Sequence, residues 1–142
     1  MRYSIILIGL LFLVLSCKTQ PINRKINKER EGLWIEKYTL DSLHYKSVGK
    51  YRRGDPVKKW RYYLNNKIIK REKYKRNTCI TTFYHENGEM QSKGKSKLET
   101  SGKNLHWFYF GDWNFFNEEG KLVKISKYGN GELISEEKFN KK

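Results

Sequence analysis

The chain reads as an all-β protein, an antiparallel sheet of repeated β-hairpins, on three grounds. Short aromatic and β-branched runs are separated by turn pairs at Asn65-Asn66, Asn87-Gly88, Glu119-Gly120 and Asn130-Gly131. Asn-Gly between such runs is a strong hairpin signal, because a type I′ turn needs positive φ at both central residues. No long segment after Gly32 carries apolar residues at helical spacing, and Pro56 is the one proline there. Aromatic residues make up 15% of the 142 residues while aliphatic content is low. That balance argues against disorder, which is aromatic-poor, and against a Leu/Ala-rich bundle. The length leaves room for a single domain.

In chain order, the first element is an address. Arg2 precedes the uncharged run Ser4 to Ser16, a short positive end followed by a compact apolar middle, which is the layout of a signal peptide. The run is too short to span a hydrocarbon core, which takes about 20 apolar residues. Residues 1–16 are therefore read as a removed signal segment. Val14-Leu15-Ser16-Cys17 resembles a bacterial lipobox, with Leu15 bulkier than the small residue usual at that place. The resemblance implies that Cys17 becomes the lipidated first residue of the mature chain and that the membrane is reached through that lipid. Lys18, where an Asp would retain the protein at the inner membrane, points to the outer membrane instead.

Residues 17–31 follow as the lipidated Cys and a flexible polar tether, rich in charge and without helical or alternating periodicity. Fully extended, such a tether reaches roughly 50 Å at ~3.3 to 3.6 Å per residue. With Cys17 taken by lipid, Cys79 has no partner within the chain. It sits in the strand-like run Thr78 to Tyr84 and reads as a buried structural thiol.

Residues 32–142 form the sheet domain, and they align on themselves. Taking Trp34, Trp60, Thr81 and Trp113 as equivalent starts, three residues on come Lys37, Tyr63, Tyr84 and Phe116, and nine on come Leu43, Ile69, Met90 and Leu122. The clearest copy is Gly111-Asp112-Trp113-Asn114-Phe115-Phe116, continued by Gly120, Leu122, Tyr128 and Gly131. It resembles the bacterial variant of the MORN repeat: Gly, Trp, an aromatic pair, a turn Gly followed by Leu, then Tyr and a closing Gly. Residues 78–94 keep Phe83-Tyr84 and Asn87-Gly88 with Thr81 in place of Trp; the copy from Gly32 is the most degenerate. A lone hairpin cannot bury its rings, so neighbouring hairpins must stack. Trp34, Trp60, Tyr63, Tyr84, Trp113, Phe116 and Leu122 are accordingly the expected repeat core. The resemblance implies an elongated antiparallel sheet used for binding or scaffolding, without catalysis; some relatives carry an antitoxin label, so an immunity-like protein binder is an alternative.

Charge is concentrated. Lys+Arg total 30 against 15 Asp+Glu, and the stretch 46–76 holds 13 basic and 2 acidic residues interleaved with Tyr51, Trp60, Tyr62, Tyr63 and Tyr74. Basic strips with aromatics bind polyanions. Arg52, Arg53, Lys58, Lys59, Arg61, Lys70 and Arg71 are the expected contacts to an anionic lipid, lipopolysaccharide or another polyanion, or to a protein partner. Export and the Lys-heavy bias argue against nucleic acid. His44, His85 and His106 are scattered without metal-ligand spacing, and Asp41-Ser42 before Leu43 reads as a turn rather than part of a triad. No cofactor, metal or catalytic group is expected.

Overall fold

Two-residue turns set the architecture. At Asn27-Lys28, Asp41-Ser42, Arg53-Gly54, Asn65-Asn66 and Asn130-Gly131 both residues have positive φ, from 46° to 88°. This is type I′ geometry, whose twist matches that of the flanking strands. The chain therefore runs as a meander. The computed structural model describes residues 21–101 and 104–139. They form ten strands: β1 Arg24–Ile26, β2 Glu29–Leu40, β3 Leu43–Arg52, β4 Asp55–Leu64, β5 Lys67–Lys75, β6 Thr78–Tyr84, β7 Met90–Ser101, β8 Asn104–Phe116, β9 Leu122–Gly129 and β10 Glu132–Lys138. All belong to one sheet in sequence order, each strand antiparallel to the next. The all-β reading holds, with no helix among the described residues.

Three expectations need adjustment. The signal segment 1–16 and Cys17 lie outside the described residues. The last part of the polar segment 17–31, by contrast, is already sheet: β1 pairs with β2, Arg24 opposite Glu31. Backbone pairing needs no apolar side chains, and the Asn23 amide fixes the join by accepting from Ile35 N at 2.7 Å and donating to Ile35 O at 2.8 Å. Asn87-Gly88 and Glu119-Gly120 are not type I′ pairs; only the glycines have positive φ. They close longer turns in which His85 N–H donates to Glu89 O and Asn117 N–H donates to Lys121 O, each at 2.9 Å.

The four aligned starts fall on one row of one face. Pairing runs Trp34 to Gly49, Trp60 to Glu72 to Thr81 to Gly94, and Trp113 to Ser126 to Glu136. The two gaps in this row are alike. Opposite Gly49 the partner strand inserts Lys58, Lys59 and Trp60 between paired residues, and opposite Gly94 it inserts Gly111, Asp112 and Trp113. Each indole then lies flat on the glycine backbone, so a Cβ built at either glycine falls 2.0 Å from the ring. Trp60 Nε1 donates to Lys50 O at 3.2 Å and Trp113 Nε1 to Lys95 O at 3.1 Å. Both indoles are 2% exposed, and removing a ring buried this well costs about 3 to 5 kcal/mol.

A single-layer sheet has little else to bury. Among the described residues, the buried apolar side chains besides these two are Trp34, Cys79 and Phe108. Of the expected core, Trp34, Trp60 and Trp113 are buried. Tyr63, Tyr84 and Phe116 are half-buried and belong to the opposite face, because each follows a row-face aromatic directly (Tyr62, Phe83, Phe115) and strand side chains alternate. Leu122 is 37% exposed. The same bulge recurs after Tyr62, Phe83 and Phe115, leaving Ile69, Gln91 and Val123 as extra residues. In this register Ile68, not Ile69, is the counterpart of Met90 and Leu122, because the β4–β5 turn is shorter.

Two residues before Trp34, Trp60 and Trp113 stand Gly32, Lys58 and Gly111, at φ +79°, +62° and +65°. A left-handed residue thus precedes each indole, within a bulge at Trp60 and Trp113, and only Lys58 carries a Cβ there, at about 1 to 2 kcal/mol. Lys58→Gly is expected to raise the unfolding free energy in urea by about 1 kcal/mol, while Gly111→Ala lowers it by a similar amount although its Cβ meets open space. A loss on Lys58→Gly would contradict the equivalence of the two bulges.

Candidate polyanion-binding face

Alternation that places the indoles on one face places cations on the other. Across β3 to β7 the register gives one row, Val48, Arg61, Arg71, Thr82 and Lys93, and beside it a second, Lys59, Lys73, Ile80 and Lys95. Arg61 directly faces Arg71 and Lys59 directly faces Lys73. Neighbouring strands are about 4.8 Å apart and alternate residues about 7 Å apart, so four cations occupy a grid of that spacing. Two adjoining shallow concavities of about 430 and 480 Å³ share Lys59, Arg61 and Lys73, with Val48, Leu33 and Ile80 among their lining residues. Like charges directly opposite across strands destabilise a sheet, so stability of the fold does not account for this grid.

The contrast with the indole face is in how charge is closed. There Arg30 pairs with Glu36 at 3.1 Å, Lys70 with Glu72 at 2.9 Å, and Lys124 with Glu136 at 3.1 Å. Glu72 also accepts from the hydroxyls of Tyr62 at 2.6 Å and Tyr74 at 2.8 Å. Burial, reinforced by the Glu72 carboxylate, pushes both phenols well above their ordinary value of 10.0. The Lys124 ammonium holds the Glu136 carboxyl below its usual range. On the cationic face, among the described residues, Lys59, Arg61, Arg71, Lys73, Lys93 and Lys95 have no carboxylate within ion-pair distance; Lys97, at the margin, reaches Glu99 at 3.4 Å. Arg71 lies over the Tyr84 ring at 5.2 Å, which orients its guanidinium.

Of the seven expected contacts the structure brings together Lys59, Arg61 and Arg71. Arg52 ends β3, and Arg53 opens the β3–β4 turn with its N–H donated to Glu31 Oε2 at 2.8 Å. Lys58 occupies the indole-delivering bulge. Lys70 is on the indole face, 3.9 Å over the Tyr62 ring and bound to Glu72. Missing from the expected set were Lys73, Lys93 and Lys95. The last two lie in a segment whose charges nearly cancel along the sequence, and the signal that reveals them is the period-two run Lys93-Gly94-Lys95-Ser96-Lys97.

Asp41-Ser42 is a turn. Cys79 is 3% exposed with Sγ 3.8 Å from Thr81 Oγ1, and burial pushes its thiol up. His44 bonds Thr39 Oγ1 at 3.0 Å and His85 Nε2 lies 2.9 Å from Phe116 O. Among the described residues no three His, Cys, Asp or Glu converge as a metal site. The chain matches none of the protein-family models, curated proteins or solved structures with which it was compared.

Arg61→Thr removes one member of the facing Arg pair and introduces a good strand former between Val48 and Arg71. Unfolding free energy at low salt is expected to rise by about 0.2 to 1 kcal/mol, and the gain to shrink as salt screens the native pair. A salt-independent loss in the denaturant titration would show that the guanidinium is structurally required.

Proposed function

We propose that this chain is a lipid-anchored, non-catalytic binding module of the bacterial cell envelope, built from MORN-like hairpins, which engages an anionic partner through its cationic sheet face. The observation that carries the reading is the uncompensated grid of Lys59, Arg61, Arg71 and Lys73, extended by Lys93 and Lys95. A ligand bearing closely spaced negative groups relieves the repulsion between facing cations, so binding and folding favour the same arrangement. The rings and aliphatic side chains nearby give the ligand an apolar contact as well. Phosphate-rich glycolipid headgroups of the outer membrane have this chemistry, and a lipid on Cys17 holds the face close to them. Each Lys or Arg near an anionic surface contributes about 1 kcal/mol.

Two measurements test the two halves. Cells fed a radiolabelled fatty acid are expected to label the wild-type protein and not Cys17→Ser; equal labelling removes the anchor. Full-length protein in neutral detergent is expected to bind inorganic polyphosphate with an affinity that falls steeply with salt, about one power of salt for each one to two phosphates neutralised. Arg61→Ala weakens that binding and Lys124→Ala, on the other face, leaves it unchanged. Salt-insensitive binding, or equal effects of the two substitutions, contradicts the reading.

A further inference from the structure

The indole face carries a concavity of its own, of about 510 Å³, over β2 to β7, and its chemistry is unlike that of the cationic face. Its walls include Tyr38, Tyr45, Tyr62 and Phe83, with Ser47 and Gln91 between them. Tyr38 and Tyr45 are a cross-strand pair, stacked at 4.8 Å with 7° between planes, and Tyr38 is 61% exposed. Two of the three repeated bulges open onto this concavity, since their extra residues, Ile69 and Gln91, both line it. Bulges re-aim side chains and gather beside functional sites.

Of the charges that line it, Glu36 is closed by Arg30 and Lys70 by Glu72, while Lys46, which alternates with Tyr45 and Ser47 along β3, lies 5.6 Å over the Tyr63 ring. On the indole side an ionic ligand therefore meets charges that are already paired. What remains open is neutral and polar. The Tyr38 and Tyr45 hydroxyls and the Gln91 amide have no hydrogen-bond partner among the described residues. Across β3 to β7, which carry most of the lining, a peptide cannot add as a strand because each is paired on both sides; β2 pairs with β1 only over Glu29–Glu31.

We propose that this concavity binds a neutral oligosaccharide. A pyranose ring presents a C–H face, weakly positive, that suits the negative face of a tyrosine ring, and a rim of hydroxyls that suits phenol and amide groups. Rings fixed by stacking and by the Glu72 network are rigid before the ligand arrives, so little ordering remains to oppose binding. The site uses none of the grid cations and shares only Tyr84 with the lining of the cationic concavities. One molecule can thus hold a glycan on one side and an anionic partner on the other.

The test is calorimetric titration of the full chain, in a polyoxyethylene detergent that carries no sugar, with a panel of neutral β-linked oligosaccharides of glucose and of N-acetylglucosamine. Saturable binding by a member of the panel is expected, unchanged by added salt and by Arg61→Ala. Tyr38→Ala and Tyr45→Ala weaken it by about tenfold or more. Tyr45→Phe, which keeps the ring, retains most of the affinity and serves as the folding control. Failure of every oligosaccharide to bind at millimolar concentration overturns the proposal, as does binding equal in the Tyr→Ala variants. Capture of an aromatic-rich peptide with no sugar binding overturns it in favour of a protein ligand.

Discussion

An indole laid on the bare backbone of a glycine in the next strand is the contact on which this molecule depends. A one-layer sheet lacks the second layer against which most sheets bury their apolar face. Here the cover comes from the sheet itself. Gly49 and Gly94 offer flat backbone with no side chain, Trp60 and Trp113 fill it, and the bulges beginning at Lys58 and Gly111 bring each ring into position. Tyr51 packs edge-on against Trp60 at 4.8 Å, and Tyr109 lies 4.1 Å from Trp113, sealing the rings from the side. Neither a leucine nor a second tryptophan fits in place of the glycine.

That contact also fixes register, and register decides everything exposed. Because strand side chains alternate, a slip of one residue exchanges the two faces. With the indoles pinned, Glu36, Glu72 and Glu136 point to the aromatic side, where each meets a lysine or arginine. Lys59, Arg61, Arg71, Lys73, Lys93 and Lys95 point the other way, where among the described residues no carboxylate lies within ion-pair distance of them. The separation of a charge-closed aromatic face from a charge-open cationic face is thus a consequence of where two rings sit. The same sheet presents two chemically different surfaces.

Much of the fold is legible in the sequence because its signals are local. Asn65-Asn66 and Asn130-Gly131 carry their turn geometry in their own residue types, and the spacing of Trp34, Trp60, Thr81 and Trp113 marks one row. Asn87-Gly88 misled because Asn-Gly serves equally in a longer turn, where the Asn87 side chain accepts from Glu89 N–H at 3.0 Å and only the glycine is left-handed. The cationic face was half legible. Counting charge along the chain finds Arg61 and Arg71, yet it cannot separate Lys70 from Arg71, adjacent residues on opposite faces. Nor does it join Lys93 to Arg61, which are linked only through Arg71 and Thr82 on the intervening strands. Bulges hid Ile69 and Gln91 for the same reason, since an extra residue breaks the period from which sides are read.

Proton NMR of the full chain tests the ring-on-glycine contact most directly, because a proton over an indole face is shifted strongly upfield by the ring current. The Hα protons of Gly49 and Gly94 are expected far upfield of ordinary glycine positions, with nuclear Overhauser contacts to the indole protons of Trp60 and Trp113 respectively. Ordinary glycine shifts at both positions, without those contacts, would contradict the account and with it the assignment of side chains to the two faces.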